Sequence, residues 1–105
     1  MALTELQSAI INAMMDDYED VEQVYLGINR ECLETTNEPT YGQPKWRLVD
    51  MVDEMLRMWE DGLISAHTLS TEGAAPLNRI DHAGIHNYWF APTGKGKAEW
   101  KGYRR

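Results

Sequence analysis

The stretch MLRMWEDGLI, residues 55–64, contains the signals that decide the fold. Apolar residues recur at three- and four-residue steps up to Trp59, which is typical of one face of a helix. Gly62 follows, and glycine is the residue that most readily adopts the left-handed conformation that ends many helices. The run LISAHTL, residues 63–69, then predicts a strand. We therefore expect a helix over residues 45–61 that turns at Gly62 directly into a strand.

Two shorter helices are predicted upstream, each from a capping signal. Thr4 followed by Gln7 indicates a capping box at the start of a helix that runs to about Asp17. Asp20 followed by Gln23 gives the same kind of signal for a second helix, and a carboxylate also favours the N-terminus of a helix. Three helices in succession are therefore expected before the first strand.

The region between the second and third helices is predicted from its cysteine and its turn formers. Cys32 is the only cysteine and lies on the apolar stripe of the second helix, so we expect it to be a buried, unreactive core residue. A single cysteine also excludes an intramolecular disulfide. Residues 35–43 are rich in turn formers and predict a loop, after which Pro44 suits the first position of the third helix.

The last third of the chain predicts a second strand and a short helix. Residues 70–85 contain glycines and a proline, and their apolar residues show neither the spacing of a helix nor the alternation of a strand. This pattern predicts a long, mobile connection. The aromatic run over residues 86–91 predicts a strand that Pro92 ends. Thr93 can cap a short helix over residues 94–103. The two strands would then pair as a hairpin with a long tip.

The composition predicts one globular domain over residues 1–105. The chain has a mass of 12.1 kDa, with 43% hydrophobic and 26% charged residues, which excludes a disordered acidic tail. No apolar run approaches the roughly 20 residues that span a bilayer, and the N-terminus lacks the pattern of a secretory leader. We therefore expect a cytoplasmic protein that has no membrane partner.

The charge is distributed unevenly along the chain. The net charge is -7, which counts against nonspecific coating of nucleic acid. Up to Gly62 there are 14 acidic and 4 basic side chains, whereas the remainder has 3 acidic and 6 basic side chains. The basic part is interleaved with aromatic residues. The average charge therefore combines an acidic helical half with a modestly basic, aromatic half.

The predicted order of elements resembles that of a winged helix-turn-helix domain. Residues 55–64 are similar to the ending of the winged-helix recognition helix. Residues 88–100, YWFAPTGKGKAEW, are similar to the second wing strand and following helix of PadR-like and MarR-like transcriptional regulators. The resemblance implies an α+β fold: a three-helix winged helix-turn-helix with a two-stranded β-hairpin wing and a short C-terminal helix.

That resemblance implies a small DNA-binding protein that acts in transcriptional regulation as a homodimer, without a cofactor. In this family the third helix enters the major groove and the hairpin contacts the neighbouring backbone of double-stranded DNA. The matching candidates here are Lys45, Trp46, Arg47 and Arg57 for bases, Arg79, Lys95 and Lys97 for phosphates, and His82 and His86 as further wing residues.

A protein-interaction module without DNA binding is the alternative. The third helix carries five carboxylates, at Asp50, Asp53, Glu54, Glu60 and Asp61, which phosphates would repel. An acidic helical region attracts a basic protein, and aromatic residues dominate protein interfaces. In this interpretation the partner would contact the patch formed by Trp89, Trp100 and Tyr103.

Catalytic and metal-binding motifs are incomplete. His82 and His86 are four residues apart, but they lie in a predicted loop, and no cysteine pair supports a metal site. The run Gly94-Lys95-Gly96-Lys97 does not match a phosphate-binding loop, since neither the upstream glycine nor the final hydroxyl is present. No serine, histidine and aspartate spacing indicates a nucleophile. We therefore expect neither an enzyme nor a metal site.

Overall fold

The computed structural model describes residues 3–30 and 44–103. The core position predicted for Cys32 and the loop predicted over residues 35–43 lie outside the described residues. The helices and strands are α1 (Glu5–Ala13), β1 (Glu19–Asp20), α2 (Val21–Ile28), α3 (Leu48–Glu60), β2 (Ile64–Ser70), β3 (Gly73–Pro76), β4 (Trp89–Pro92) and α4 (Gly94–Tyr103), with a 3-10 turn at Ile85–Asn87. None of these helices is long and apolar enough to cross a membrane.

The strands form one antiparallel sheet in the order β1-β4-β2-β3. β2 pairs with β4, so that Ala66 lies opposite Phe90 and His67 lies opposite Trp89. This pairing confirms that the strand after Gly62 and the aromatic strand are neighbours. The chain therefore has the expected α+β class.

The sheet is larger than the two-stranded hairpin that we expected. β3 lies within residues 70–85, which we expected to be a long connection, and β1 adds a two-residue strand to the outer edge of β4. The sequence of β3, GAAP, has neither alternation nor β-branched residues. Pairing with β2 forms this strand through a tight turn, in which Gly73 has a φ of 116°. Long-range backbone pairing therefore outweighs the local preference.

The core lies between the helices and one face of the sheet. Ile64, Ala66 and Phe90 are buried on that face, whereas Ser65 and His67, which alternate with them along β2, are half-buried. Four methionines fill much of this core, and none of them is more than 1% exposed. They are Met14, Met51, Met55 and Met58.

Both capping signals upstream are confirmed. Thr4 Oγ1 accepts a hydrogen bond from the Gln7 amide at 3.1 Å, and Gln7 Oε1 accepts one from the Thr4 amide at 3.0 Å. The Asp20 carboxylate accepts from the Gln23 amide at 2.9 Å and begins α2. However, α1 ends at Ala13 rather than near residue 17, because the chain turns there to bring β1 to the sheet.

The third helix begins at Leu48, later than the predicted start at residues 44–45. The Asn29 side chain is fully buried and holds the segment before α3 in a non-helical position. Its Oδ1 accepts from the Trp46 amide at 2.8 Å, and its Nδ2 donates to the Trp46 carbonyl at 3.2 Å and to the Tyr25 carbonyl at 3.0 Å. The hydrogen bonds of this buried side-chain amide therefore link the segment before α3 to the end of α2.

The end of α3 is a Schellman motif. Gly62 has a φ of 76°, its amide donates to the Trp59 carbonyl at 3.1 Å, and the Leu63 amide donates to the Met58 carbonyl at 2.9 Å. The predicted helix stop is thereby confirmed. The segment that leads into α4 also binds this turn, which we call the Gly62–Leu63 junction. The Thr93 amide donates to the Leu63 carbonyl at 3.1 Å.

Gly96 allows α4 to pack closely against this junction. A Cβ atom at position 96 would lie 2.0 Å from the Leu63 carbonyl oxygen, whereas one at Gly102, on the same helix, would meet nothing within 4 Å. Thr93 Oγ1 accepts from the Gly96 amide at 3.0 Å, so the cap and the close approach occur together. Backbone would therefore have to move to accommodate any side chain at position 96.

We expect Gly96→Ala to lower the free energy of unfolding by about 1–3 kcal/mol or more, because overpacking against backbone cannot be relieved by rotation of a side chain. Gly102→Ala is the matched control and should raise stability by up to about 1 kcal/mol, since alanine favours a helix. Urea unfolding followed by circular dichroism measures both. Equal midpoints for the two variants would contradict the close packing of α4 on Leu63.

Candidate functional site

The cations predicted to contact bases are all paired with carboxylates of the chain. The pairs are Lys45 with Glu5, Arg47 with Asp50, and Arg57 with Glu54. The Arg47 guanidinium donates to both oxygens of Asp50, at 2.9 and 3.1 Å, and this hydrogen bonding raises the pKa of Arg47 and lowers the pKa of Asp50. The positive charge near the start of α3 is thus compensated locally.

The Arg57 pair belongs to the packing of α3 on α1. The Glu54 side chain is only 16% exposed, and it binds Arg57 at 3.1 Å through one oxygen. Its other oxygen accepts from Gln7 Nε2 at 2.9 Å, which joins the helices. Both oxygens of Glu54 therefore bind groups of the same chain. If Arg57 bound a phosphate instead, part of the negative charge of Glu54 would be left without compensation.

Trp46 lies before α3 rather than on it. Its backbone is bound by Asn29, its side chain is half-buried, and Lys45 Nζ lies 5.2 Å from the centroid of its ring. The prediction that Lys45, Trp46 and Arg47 lie on the third helix was therefore wrong, since α3 begins at Leu48 and Arg47 is its N-cap. The physical reason is the buried Asn29 amide, which binds the peptide groups on both sides of Trp46.

The three residues predicted to contact phosphates differ in whether they have a partner within the chain. Lys95 Nζ donates to the Asp61 carbonyl at 2.8 Å and so neutralises the C-terminal end of α3. Arg79, in the connection after β3, and Lys97, on α4, are exposed and have no ionic or hydrogen-bonded side-chain partner among the described residues. These two side chains are therefore the cations of the predicted set that are most available to an external anion.

The two histidines that were predicted to lie on the wing contact carboxylates of helices. His82 Nε2 lies 3.1 Å from an Asp53 oxygen on α3, and His86 Nδ1 lies 2.6 Å from a Glu22 oxygen on α2. Both contacts hold the connection between β3 and β4 against the helices. This connection is therefore not the isolated tip of a hairpin. Among residues 3–30 and 44–103, no group of three histidine, cysteine or carboxylate residues is placed to hold a metal ion.

The exposed surface of α3 is apolar and acidic. Leu48 is 40% exposed and Val49 is 53% exposed, in the first turn of the helix. Asp50 and Glu60 are exposed on the same helix. Adjacent exposed apolar side chains can form the centre of a protein interface.

The predicted aromatic patch is divided between two places. Trp100 and Tyr103 line a groove between α4 and α1, together with Glu5 and Ala9. Trp89 instead lies on β4, between Asp20 of β1 and His67 of β2. The prediction of one surface for all three aromatic residues is therefore not supported by the arrangement of the strands and α4.

Sequence reasoning missed a polar cluster on the outer face of the sheet. His67 Nε2 and Ser65 Oγ are 2.8 Å apart, and the rings of His67 and Tyr18 pack in a T-shaped arrangement with centroids 4.8 Å apart. His67 Nδ1 is buried without a hydrogen-bond partner among the described residues, and burial lowers the pKa of His67. The two-residue alternation of the strand places Ser65 and His67 on one face, which was the available signal.

The surroundings of Glu19 disfavour its ionised form. Partial burial, followed by the charges of Asp17 and Asp20, raises the pKa of Glu19. A carboxyl group whose pKa is higher in the folded than in the unfolded chain contributes stability below its unfolded pKa. That contribution is lost as the pH rises through its folded pKa. The ionised Glu19 side chain is therefore unfavourable in the folded protein at neutral pH.

We expect Glu19→Gln to raise the melting temperature at pH 7 and to have a smaller effect at pH 3, where the carboxyl group is already protonated. Thermal unfolding across this pH range checks the expectation. Glu72→Gln, in the exposed turn between β2 and β3, is the control for removal of one negative charge. A gain for Glu19→Gln that is the same at both pH values would contradict the assigned cause.

Comparison with protein-family models, with curated proteins and with solved structures finds no significant match to this chain. Its function is therefore inferred from the geometry of its own residues. Two features carry most weight: the internal pairing of the α3 cations, and the apolar and acidic surface of that helix.

Proposed function

We propose that the chain is a winged-helix protein-interaction module, and that the surface of α3 binds a basic partner protein. The winged-helix assignment is supported by the order of elements. Three helices precede β2, and β2 pairs with the later strand β4, which leads into α4. The interaction assignment is supported by the charges and apolar residues of α3.

The single observation that carries this proposal is the internal neutralisation of the predicted DNA-contacting cations. Lys45, Arg47 and Arg57 each contact a carboxylate of the same chain. Phosphate binding requires cations that can release counterions from DNA, and carboxylates beside them oppose that binding. An acidic recognition helix is instead suited to a partner that carries lysine or arginine.

The apolar residues indicate how such a partner would be anchored. Leu48 and Val49 are both substantially exposed, and Glu60, which is exposed on the same helix, supplies negative charge. Apolar anchors at the centre of an interface contribute most of the affinity, while charges at its rim mainly set specificity and association rate. We therefore expect the partner to insert an apolar side chain beside Val49 and to place basic side chains around it.

DNA binding is the second candidate, and two observations favour it. The Arg47 pair with Asp50 is exposed, and such pairs contribute only about 0.2–1 kcal/mol, so phosphate could replace the carboxylate. Arg79 and Lys97 are exposed without a side-chain partner among the described residues. In this case the protein would bind double-stranded DNA as a homodimer and regulate transcription.

One set of variants separates the two functions. Val49→Lys replaces an exposed apolar residue of α3 by a cation, and Leu69→Lys makes the same change at an exposed residue of β2. We expect one stoichiometric protein partner to co-purify with the original chain and with Leu69→Lys but not with Val49→Lys. Quantitative mass spectrometry of the purified complexes provides the measurement.

The same proteins are tested with mixed-sequence duplex DNA by fluorescence anisotropy at two salt concentrations. We expect no salt-dependent binding. The contrary result is affinity that falls by about 0.9 log units per decade of salt for each phosphate contacted. If Arg47→Glu also abolished that affinity, the protein-interaction proposal would be replaced by the DNA-binding one.

A further inference from the structure

Apolar and acidic side chains alternate along one line of α3, which we call the α3 stripe. Its members, Val49, Asp53, Leu56 and Glu60, follow one another at steps of four, three and four residues. At 3.6 residues per turn they lie within about 60° of one another around the helix axis. Val49 is 53% exposed, the Asp53 side chain is 43% exposed, Leu56 is half-buried and Glu60 is exposed. The stripe therefore presents both kinds of side chain to solvent over about 16.5 Å.

The carboxylates of the α3 stripe are available to an external cation. Asp53 contacts His82 Nε2 at 3.1 Å, but the His82 side chain is 61% exposed and is charged only when it is protonated. Such an exposed pair changes an equilibrium by at most about a factor of five, so a lysine or arginine can replace the histidine. Glu60 has no ionic or hydrogen-bonded side-chain partner among the described residues. Arg57, the nearby cation, is paired with Glu54 at 3.1 Å.

The spacing of the α3 stripe indicates that its partner is a helix rather than a strand. The steps along the stripe advance by about 5.5 Å on average, at 1.5 Å per residue. A second helix packed lengthwise repeats its contacts with the same period. On one face of a strand the side chains recur every 6.7 Å or so, which over three steps exceeds the stripe by about 3.5 Å. A helix therefore stays in register along the whole stripe, whereas a strand does not.

We propose that the α3 stripe binds a basic amphipathic helix. Apolar side chains of that helix cover Val49 and Leu56. Lysine or arginine side chains seven residues apart pair with Asp53 and Glu60, and one of them displaces His82. The helix belongs to the basic partner of the proposed function, on which this assignment rests.

The test uses two fluorescein-labelled synthetic peptides and the full chain. Both peptides have an alanine-rich helical scaffold. One carries leucine and lysine alternately at steps of four and three residues, and the other carries glutamate in place of lysine. Fluorescence anisotropy at constant ionic strength measures the dissociation constants. We expect the lysine peptide to bind saturably and the glutamate peptide not to bind, because the stripe carries negative charge.

Asp53→Asn with Glu60→Gln should weaken binding of the lysine peptide about fivefold or more, since each exposed pair contributes up to about a factor of five. The asparagine at position 53 keeps an oxygen beside His82. The matched control is Asp16→Asn with Glu72→Gln, which removes the same charge from exposed positions outside α3. It should bind the lysine peptide as the original chain does. Circular dichroism checks that each variant is folded.

Zero-length coupling with a water-soluble carbodiimide shows where the lysine peptide lies, because it joins a lysine to a carboxylate in contact with it. We expect mass spectrometry of the digested product to find the links at Asp53 and Glu60. The proposal is overturned if the lysine peptide does not bind, if the glutamate peptide binds equally well, or if the Asp53 and Glu60 variant binds as tightly as the control. Links only at other carboxylates also overturn it.

Two further outcomes assign the surface differently. If light scattering shows that the chain alone is a dimer which Val49→Lys dissociates, the occupant is a second copy and the proposal is overturned. The proposed function fails separately, when no protein co-purifies in a manner that depends on Val49. A partner that does depend on Val49, together with peptide binding that ignores Asp53 and Glu60, overturns the helix alone.

Discussion

The backbone of Leu63, through both its amide and its carbonyl group, is the point on which the rest of the structure depends. Its amide closes the Schellman motif of α3, and its carbonyl accepts from Thr93, where β4 passes into α4. Thr93 Oγ1 donates to the Gly62 carbonyl at 2.5 Å, and Gly96 packs against Leu63 without an intervening side chain. One residue thus joins the third helix, two strands and the last helix. A change at this junction would therefore alter the positions of α3, β2, β4 and α4 relative to one another.

Basic residues at both ends of α3 bind groups of the same chain. The carbonyl groups at the end of α3 carry partial negative charge, and Lys95 neutralises one of them, at Asp61. At the other end of the helix, Arg47 binds Asp50. The acidic half of the chain is therefore partly compensated by its own cations. The exposed residues of α3 include the apolar pair Leu48 and Val49 and the carboxylate of Glu60, and the proposal of a protein partner for that helix rests on them.

Much of the helical layer could be predicted from local signals, because caps and turns involve residues close in sequence. Thr4 with Gln7, Asp20 with Gln23, and Gly62 all perform the expected roles. The edge strands could not be predicted in this way. β1 has two residues, and β3 has no strand pattern, so each exists only because a neighbouring strand completes its hydrogen bonds. The late start of α3 has a similar cause, since the buried Asn29 lies in a different helix.

By itself, the sequence determined the α+β class, the caps of the first two helices, the end of the third and the pairing of the two principal strands. These depend on backbone conformation and periodicity, which act over a few residues. Only the tertiary structure decided which charges are free and which polar groups meet. Lys45 with Glu5, His86 with Glu22, and the T-shaped packing of Tyr18 on His67 join residues far apart in the chain. Their contacts follow from how helices pack on the sheet, and packing brings together residues whose spacing in the sequence carries no signal of proximity.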